Sequence, residues 1–129
     1  MNEYCVPPDA VIRVNAKIIC SDGFNLLDRG KLESALAAPL QTFFGRDLVE
    51  SSIERASMLL EGIIHAHAFI DGNKRTAWVV TSHYLNNEGF PLTDITDTVV
   101  ADFVGSVPSM DHALAGKEIA RWLVDHLDC

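Results

Sequence analysis

The sequence has little cysteine and no long apolar run, and each shortage excludes a class of protein. The three cysteines, Cys5, Cys20 and Cys129, are odd in number and form no CxxC pair, so neither a disulfide framework nor a zinc ribbon is indicated. They are typical of reduced thiols, which predicts a cytoplasmic location. No apolar run approaches the roughly 20 residues needed to span a bilayer, and the N-terminus lacks the pattern of a secretory signal. We therefore expect a soluble chain without a membrane partner.

Positive charge is also scarce. Lysine and arginine number 10 against 18 acidic residues, which gives a formal net charge of −8. Proteins that hold duplex nucleic acid through its phosphates usually carry a basic surface, so direct nucleic-acid binding is not expected. A small local basic site is still compatible with this charge balance.

The chain has 129 residues, which fits one domain over 1–129, and its hydrophobic share of 48% is that of a globular protein. No segment alternates with period two, whereas apolar spacings of three and four recur along the chain. We predict an all-α fold, a compact bundle of about six helices. The predicted helices cover residues 7–19, 31–38, 49–66, 72–87, 95–107 and 109–127.

The apolar stripes of these helices predict which residues face the core. The stripe of the third helix continues to His67, which we expect to point inward. In the fourth helix the expected core residues are Ala77, Val80, Thr81, Tyr84 and Leu85. In the last two helices they are Val99, Val100, Phe103, Val104, Leu114, Ile119, Trp122, Leu123 and Leu127.

The segment between the third and fourth helices has the composition of a binding site. Gly72 and Asn73 form a turn, and Lys74 and Arg75 follow at the start of the next helix. Helix N-termini present unpaired backbone N–H groups and a positive dipole end, so this turn predicts an anion pocket, with phosphate as the expected anion. Asp71 precedes the turn, and Mg²⁺ is usually held by one or two carboxylates together with phosphate oxygens.

The neighbouring side chains complement such a pocket. Lys74 would neutralise phosphate charge, and the planar guanidinium of Arg75 could bind a phosphate through two hydrogen bonds. His67 lies four residues before Asp71, and an imidazole titrating near neutrality suits a general base. Together these residues predict the attack of a hydroxyl group on a nucleotide phosphate.

Each residue also has a simpler interpretation. His67 could be an ordinary core histidine, Asp71 could cap the following helix, and Lys74 with Arg75 could be solvated surface charges. These explanations require several separate coincidences within nine positions. The joint pattern therefore favours a functional site.

The pattern His67-x-Phe69-x-Asp71-Gly72-Asn73-Lys74-Arg75 resembles the signature of the Fic/Doc superfamily, and in particular of its Doc branch, the death-on-curing toxins of toxin–antitoxin modules. The stretch over residues 32–39, Leu-Glu-Ser-Ala-Leu-Ala-Ala-Pro, also resembles that branch.

The resemblance implies a role for each matching position. It implies that His67 is the general base and that Asp71 holds Mg²⁺. Gly72 would allow close backbone approach, and the phosphate ligands would be Asn73, Lys74 and Arg75. Phe69 would anchor the segment in the core. Residues 22–29 correspond in location to a flap, a short loop or hairpin that guides target segments, and their composition is equally compatible with an ordinary connector between helices.

The resemblance also implies a reaction. Fic adenylyltransferases typically have glycine where this chain has Lys74 and arginine where it has Trp78. The Asn-Lys-Arg form of the Doc branch implies a reversed nucleotide and transfer of the γ-phosphate of ATP. The implied target is a threonine of elongation factor Tu, whose modification stops translation. The implied partner is an antitoxin whose C-terminal segment covers the active-site groove. The alternatives are AMP transfer to a protein hydroxyl and a non-catalytic module that binds an anion or peptide.

Overall fold

The fold is a bundle of helices built around a central pair. The computed structural model describes residues 3–21 and 25–128, and all statements of structure concern these residues. Within them the helices are α1 (Pro8–Ile18), α2 (Arg29–Ala37), α3 (Ser52–Ala66), α4 (Asn73–Asn87), α5 (Asp97–Ser106) and α6 (His112–Asp125). Two single 3₁₀ turns follow α2 and α5, at Ala38–Leu40 and Val107–Ser109. The prediction of an all-α fold with about six helices is confirmed.

Side-chain caps decide where four of the helices begin. Asp28, Ser51, Thr96 and Asp111 each accept a hydrogen bond from a backbone N–H in the first turn of the helix that follows. Such a cap satisfies one of the donors that the first turn leaves unpaired. The helices therefore begin at residues 29, 52, 97 and 112, and the predicted starts at 31, 49, 95 and 109 were wrong by two or three residues.

A small hairpin between α2 and α3 was not predicted. Its strands, β1 (Thr42–Phe43) and β2 (Arg46–Asp47), pair antiparallel. Phe44 and Gly45 form the turn with φ of 50° and 77°, the left-handed conformation that two-residue hairpins favour. Strands of two residues are too short to show a period of two, so the sequence indicated only a break in this region.

The core lies where α3 packs against α4, α6 and α2. All five residues expected to face inward from α4 are buried, from Ala77 to Leu85. Val99 and Leu114 were expected to be buried but are 43% and 48% exposed. The reason is that α5 lies at the edge of the bundle and buries only Phe103 and Val104, whereas Leu114 precedes the part of α6 that packs on α3.

None of the described helices combines the length and apolar character that crossing a bilayer requires.

Candidate functional site

The candidate site is the turn that connects α3 to α4. Helix α3 ends at Ala66, and His67 follows in the left-handed conformation with φ of 46°. This change of direction points Ala68 and Phe69 into the core and leaves the side chain of His67 exposed. The prediction that His67 faces inward is therefore wrong, because the helical stripe stops one residue before it. Phe69 is buried, as the resemblance implied.

Gly72 is required at the turn for two reasons. Its φ is 80°, a conformation that residues with a Cβ rarely adopt. A Cβ at this position would lie 3.0 Å from Cγ2 of Ile19 and 3.1 Å from Nδ2 of Asn15. The close backbone approach seen in the structure is thus an approach to α1.

The side chain of Asn73 is engaged within the turn. Its Nδ2 donates to the carbonyl oxygen of Phe69 at 2.8 Å, and its Oδ1 accepts from the Phe69 N–H at 3.1 Å. The helical hydrogen bonds of α4 begin with the Thr76 N–H, which donates to the carbonyl of Gly72. The N–H groups of residues 73–75 consequently have no partner within the helix. At Asn73, the group open to an anion is the backbone N–H.

The carboxylate of Asp71 does not cap α4. Its Oδ1 accepts a hydrogen bond from the N–H of the next residue, Gly72, at 2.8 Å. Gly72 itself is the capping residue, and no side chain caps this end of the helix. The interpretation of Asp71 as a helix cap is therefore not supported. Its side chain is exposed and its Oδ2 has no partner among the described residues.

All six residues predicted for the site line one cavity of about 570 Å³. Ile18, Ile19, Ile64 and Ile70 complete its walls. The side chains of His67, Asp71, Lys74 and Arg75 are exposed, and none of them forms an ion pair with another residue of the described ranges. The cavity therefore combines two unpaired cations, one carboxylate, an imidazole and open backbone N–H groups. This combination is suited to an anion that carries a metal ion with it.

The donor set limits how a metal could be held. Within residues 3–21 and 25–128, no group of three or more His, Cys, Asp or Glu side chains is arranged to bind a metal ion. The carboxylate of Asp71 is the acid that lines the cavity. A single carboxylate fits Mg²⁺ only when phosphate oxygens and water supply the other ligands, which is the usual form of nucleotide-bound magnesium.

The sequence analysis did not identify three polar residues behind the turn, Asn15, Asn25 and Thr76. Asn15 of α1 is 1% exposed and donates to the carbonyl of Asp71 at 2.9 Å and to Oγ1 of Thr76 at 3.1 Å. Asn25 donates to the same carbonyl at 3.0 Å and to Oδ1 of Asn15 at 2.6 Å. A signal was available for Asn15, because it lies four residues after Val11 and four before Ile19 on the apolar stripe of α1.

The predicted flap, residues 22–29, is described only in part. Residues 22–24 lie outside the described ranges, and Arg29 belongs to α2. The intervening segment pairs with the motif through hydrogen bonds from Leu27 N–H to the Ala68 carbonyl, 2.7 Å, and from Ile70 N–H to the Asn25 carbonyl, 2.9 Å. This part of the predicted flap is therefore fastened to the motif.

A second cavity of about 910 Å³ lies between α4, α5 and the connector before α5. Lys74 and Arg75 line both cavities, so the two adjoin at the start of α4. Trp78 lines the second cavity and packs edge to face against Phe103 and Trp122, with ring centroids 6.5 and 5.7 Å apart. The position at which adenylyltransferases typically carry arginine is thus occupied by a packed aromatic ring.

Comparison with known proteins agrees with the motif. The sequence profile of the Fic/DOC family matches residues 6–85, which includes the whole turn. The chain belongs to the Fic/DOC family. A curated Fic/DOC relative named Toxin Doc, from Mycolicibacterium smegmatis (strain ATCC 700084 / mc(2)155), is 35% identical over 85 residues. That match covers 65% of this chain and 65% of the relative, slightly under two thirds of each. No solved structure matches this Fic/DOC chain.

Proposed function

We propose that this chain is a Doc-type toxin that transfers the γ-phosphate of ATP to a threonine hydroxyl of elongation factor Tu and so arrests translation in the cytoplasm. The observation that carries the proposal is the convergence of the six motif residues on one cavity at the start of α4. Membership of the Fic/DOC family and the relative named Toxin Doc support it.

In the proposed reaction, His67 accepts the proton of the threonine hydroxyl as its oxygen bonds to the γ-phosphorus. The bond from that phosphorus to the bridging oxygen breaks, and ADP leaves. Lys74, Arg75 and the open N–H groups of the turn stabilise the charge that develops on the phosphate oxygens. Asp71 would hold Mg²⁺, which neutralises phosphate charge when bound. Phosphoryl transfer depends chiefly on positioning and charge, so a small site is sufficient.

Two features support phosphate transfer over AMP transfer. Lys74 puts a cationic side chain at the cavity where Fic adenylyltransferases typically have glycine. Trp78 is committed to an aromatic cluster with Phe103 and Trp122 and has no charge to offer a phosphate. Both features favour the reversed nucleotide in which the γ-phosphate faces His67.

The proposal includes a partner. A toxin of this type requires an antitoxin, and we propose that the antitoxin's C-terminal segment covers the active-site groove. The exposure of His67, Asp71, Lys74 and Arg75 makes the groove accessible to such a segment. An antitoxin that binds the operator would leave this acidic chain without direct contacts to nucleic acid.

The test is the product formed on the target. Elongation factor Tu is incubated with the chain, ATP and Mg²⁺, and its modification is identified by intact mass and peptide mapping. The proposal predicts the mass gain of one phosphoryl group on a threonine. The gain of an AMP moiety would establish the adenylyltransferase alternative. Unmodified elongation factor Tu would contradict the proposal that it is the target.

Bacterial growth tests the non-catalytic alternative. Expression of the wild type without antitoxin should arrest growth, and expression of His67→Ala at the same level should not. Equal arrest by both would show that toxicity comes from binding alone.

A further inference from the structure

Behind the phosphate-binding turn lies a closed network of side-chain amides. Asn15 comes from α1, Asn25 from the segment before α2, and both donate to the main-chain carbonyl of Asp71. The two asparagines are also joined to each other, from Nδ2 of Asn25 to Oδ1 of Asn15 at 2.6 Å. Three separate parts of the chain therefore meet at one peptide group of the motif.

The network uses every donor that the two amides have. One N–H of Asn15 binds the Asp71 carbonyl and the other binds Oγ1 of Thr76 in the first turn of α4. Both N–H groups of Asn25 are engaged as well, and the carbonyl of Asp71 receives a donor for each of its two lone pairs. A polar network in which each donor is satisfied, and whose central amide, that of Asn15, is buried, favours a single geometry.

The location of this network matters more than its size. The carbonyl of Asp71 immediately precedes Gly72, whose left-handed conformation directs the chain into α4. Nδ2 of Asn15 lies only 3.1 Å from the position of a Gly72 Cβ, so the amide packs directly against the turn. Movement of the Asp71 carbonyl would shift both the Asp71 carboxylate and the N–H groups that follow it.

We infer that Asn15 and Asn25 are positioning residues for phosphoryl transfer, which hold the Asp71–Gly72 turn in the geometry that the reaction requires. The inference rests on the proposed function for its catalytic consequence. The positioning of the turn itself is measurable without any activity. A purely structural role would instead lower the stability of the whole bundle without a specific effect on the turn.

The most informative variant is Asn25→Asp. It keeps the size of the side chain, removes both donors and places a carboxylate against two carbonyl oxygens. Asn25 is only half-buried, so the fold should tolerate the change. Asn87→Asp is the matched control, because it makes the same charge change at an exposed position at the far end of α4.

A second pair of variants separates positioning from stability. Asn15→Leu removes the buried amide and keeps the number and branching of the side-chain heavy atoms. Ile119→Val removes one buried methyl group from α6, far from the turn, and lowers stability through the core alone. The double variant Asn15→Leu/Asn25→Asp tests whether the two residues act together, since residues in one network show non-additive effects.

Two readouts decide the inference. For Asn25→Asp and Asn15→Leu we expect kcat to fall about 10²-fold with a smaller change in the KM for ATP, the scale of a reacting group misplaced by about 1 Å. We also expect faster hydrogen–deuterium exchange in residues 67–76 with unchanged exchange in residues 52–66. Asn87→Asp and Ile119→Val should retain the wild-type kcat, and the double variant should lose less than the product of the single losses.

Retention of kcat and of exchange protection by Asn25→Asp would overturn the inference. Loss of kcat by Ile119→Val in proportion to its loss of stability would also overturn it, because the effect would then be purely structural. If the wild type transfers no phosphate, the proposed function fails, and the exchange measurement alone decides whether the asparagines hold the turn.

Discussion

The two ends of the α3–α4 pair differ in whether their charged side chains have partners within the protein. At the end where α3 leads into α4, His67, Asp71, Lys74 and Arg75 are exposed and form no ion pairs within the described part of the chain. The backbone there is held by neutral amides instead, including that of Asn73, which binds both polar groups of Phe69.

At the opposite end, Arg55 and Glu88 have partners within the protein. Arg55 forms an ion pair with Asp47 of the hairpin at 3.1 Å and donates from Nε to the carbonyl of Val49 at 2.9 Å. Glu88 accepts hydrogen bonds from Ser52 and from Tyr84, both at 3.2 Å. These contacts fasten the hairpin and the start of α3 to the end of α4.

The difference shows how a single pair of helices can serve both stability and binding. A charge that is paired within the protein must give up its partner to bind a ligand, whereas an unpaired charge on a rigid backbone is ready to bind. Neutral amides are well suited to hold that backbone, because they supply directional hydrogen bonds without competing for the anion. The following substitutions test this division between the ends.

The largest effect is expected at His67. Removal of a general base typically lowers the rate about 10²–10⁴-fold, so His67→Ala should lower phosphoryl transfer to elongation factor Tu by that factor. Because the side chain is exposed, the midpoint of chemical unfolding should not change. Rates from initial velocities and unfolding monitored by circular dichroism check both statements. A variant that keeps the wild-type rate would remove His67 from the mechanism.

Gly72→Ala should damage both stability and activity. The added Cβ would lie 3.0 Å from Cγ2 of Ile19, and the alanine would have to keep a φ of 80°. Holding a residue in such a backbone conformation costs about 1–3 kcal/mol of folding free energy. Chemical unfolding should show that loss, and phosphoryl transfer should fall with it. Gly89→Ala is the matched control, since Gly89 also has a positive φ, of 89°, but no atom lies within 4 Å of its added Cβ. Equal activity losses in the two variants would contradict the importance of close packing at the turn.

Arg55→Ala should have the reverse pattern to His67→Ala. It removes an ion pair and a hydrogen bond from the end remote from the motif, and a net loss of about 1 kcal/mol of stability is expected. The rate of phosphoryl transfer should stay at the wild-type value under conditions where the variant is folded. A lower rate in folded protein would show that the two ends are coupled.

The smallest effect near neutral pH is expected at Tyr84, whose contribution to stability changes with pH only in the alkaline range. Burial is the main cause that raises the pKa of Tyr84 from 10 to about 12, and the nearby Cys5 and Glu88 contribute. A folded-state pKa above the unfolded value stabilises the fold below pH 10, and this stabilisation is lost as pH rises through about 12. Unfolding measured across this range should show a shallower decline for Tyr84→Phe than for the wild type. An identical decline would assign the loss to other groups.

Much of the helical framework is predictable from the sequence because it follows from local signals. The apolar stripe of α4 identified its buried face. The predicted range of this helix, 72–87, agrees within one residue with the observed range, Asn73–Asn87. The motif residues were identified together because they are contiguous, and the structure brings them into one cavity.

The features that were missed depend on tertiary structure or on single backbone angles. The outward turn of His67 results from one left-handed residue, which helical periodicity does not register. Asn15 and Asn25 bind the carbonyl of Asp71 across 56 and 46 residues of sequence, so no local pattern indicates their partner. The hairpin was not predicted from the sequence, because strands of two residues are too short to show an alternating pattern.

The central claim is that the unpaired charges at the motif end serve the transfer of a γ-phosphate. Its most direct test uses ATP labelled separately at the γ- and α-phosphorus, with elongation factor Tu as acceptor and Lys74→Gly beside the wild type. We predict that label enters the target from γ-labelled ATP only and that Lys74→Gly weakens this transfer. Label entering from α-labelled ATP, or no transfer from either, would contradict the account.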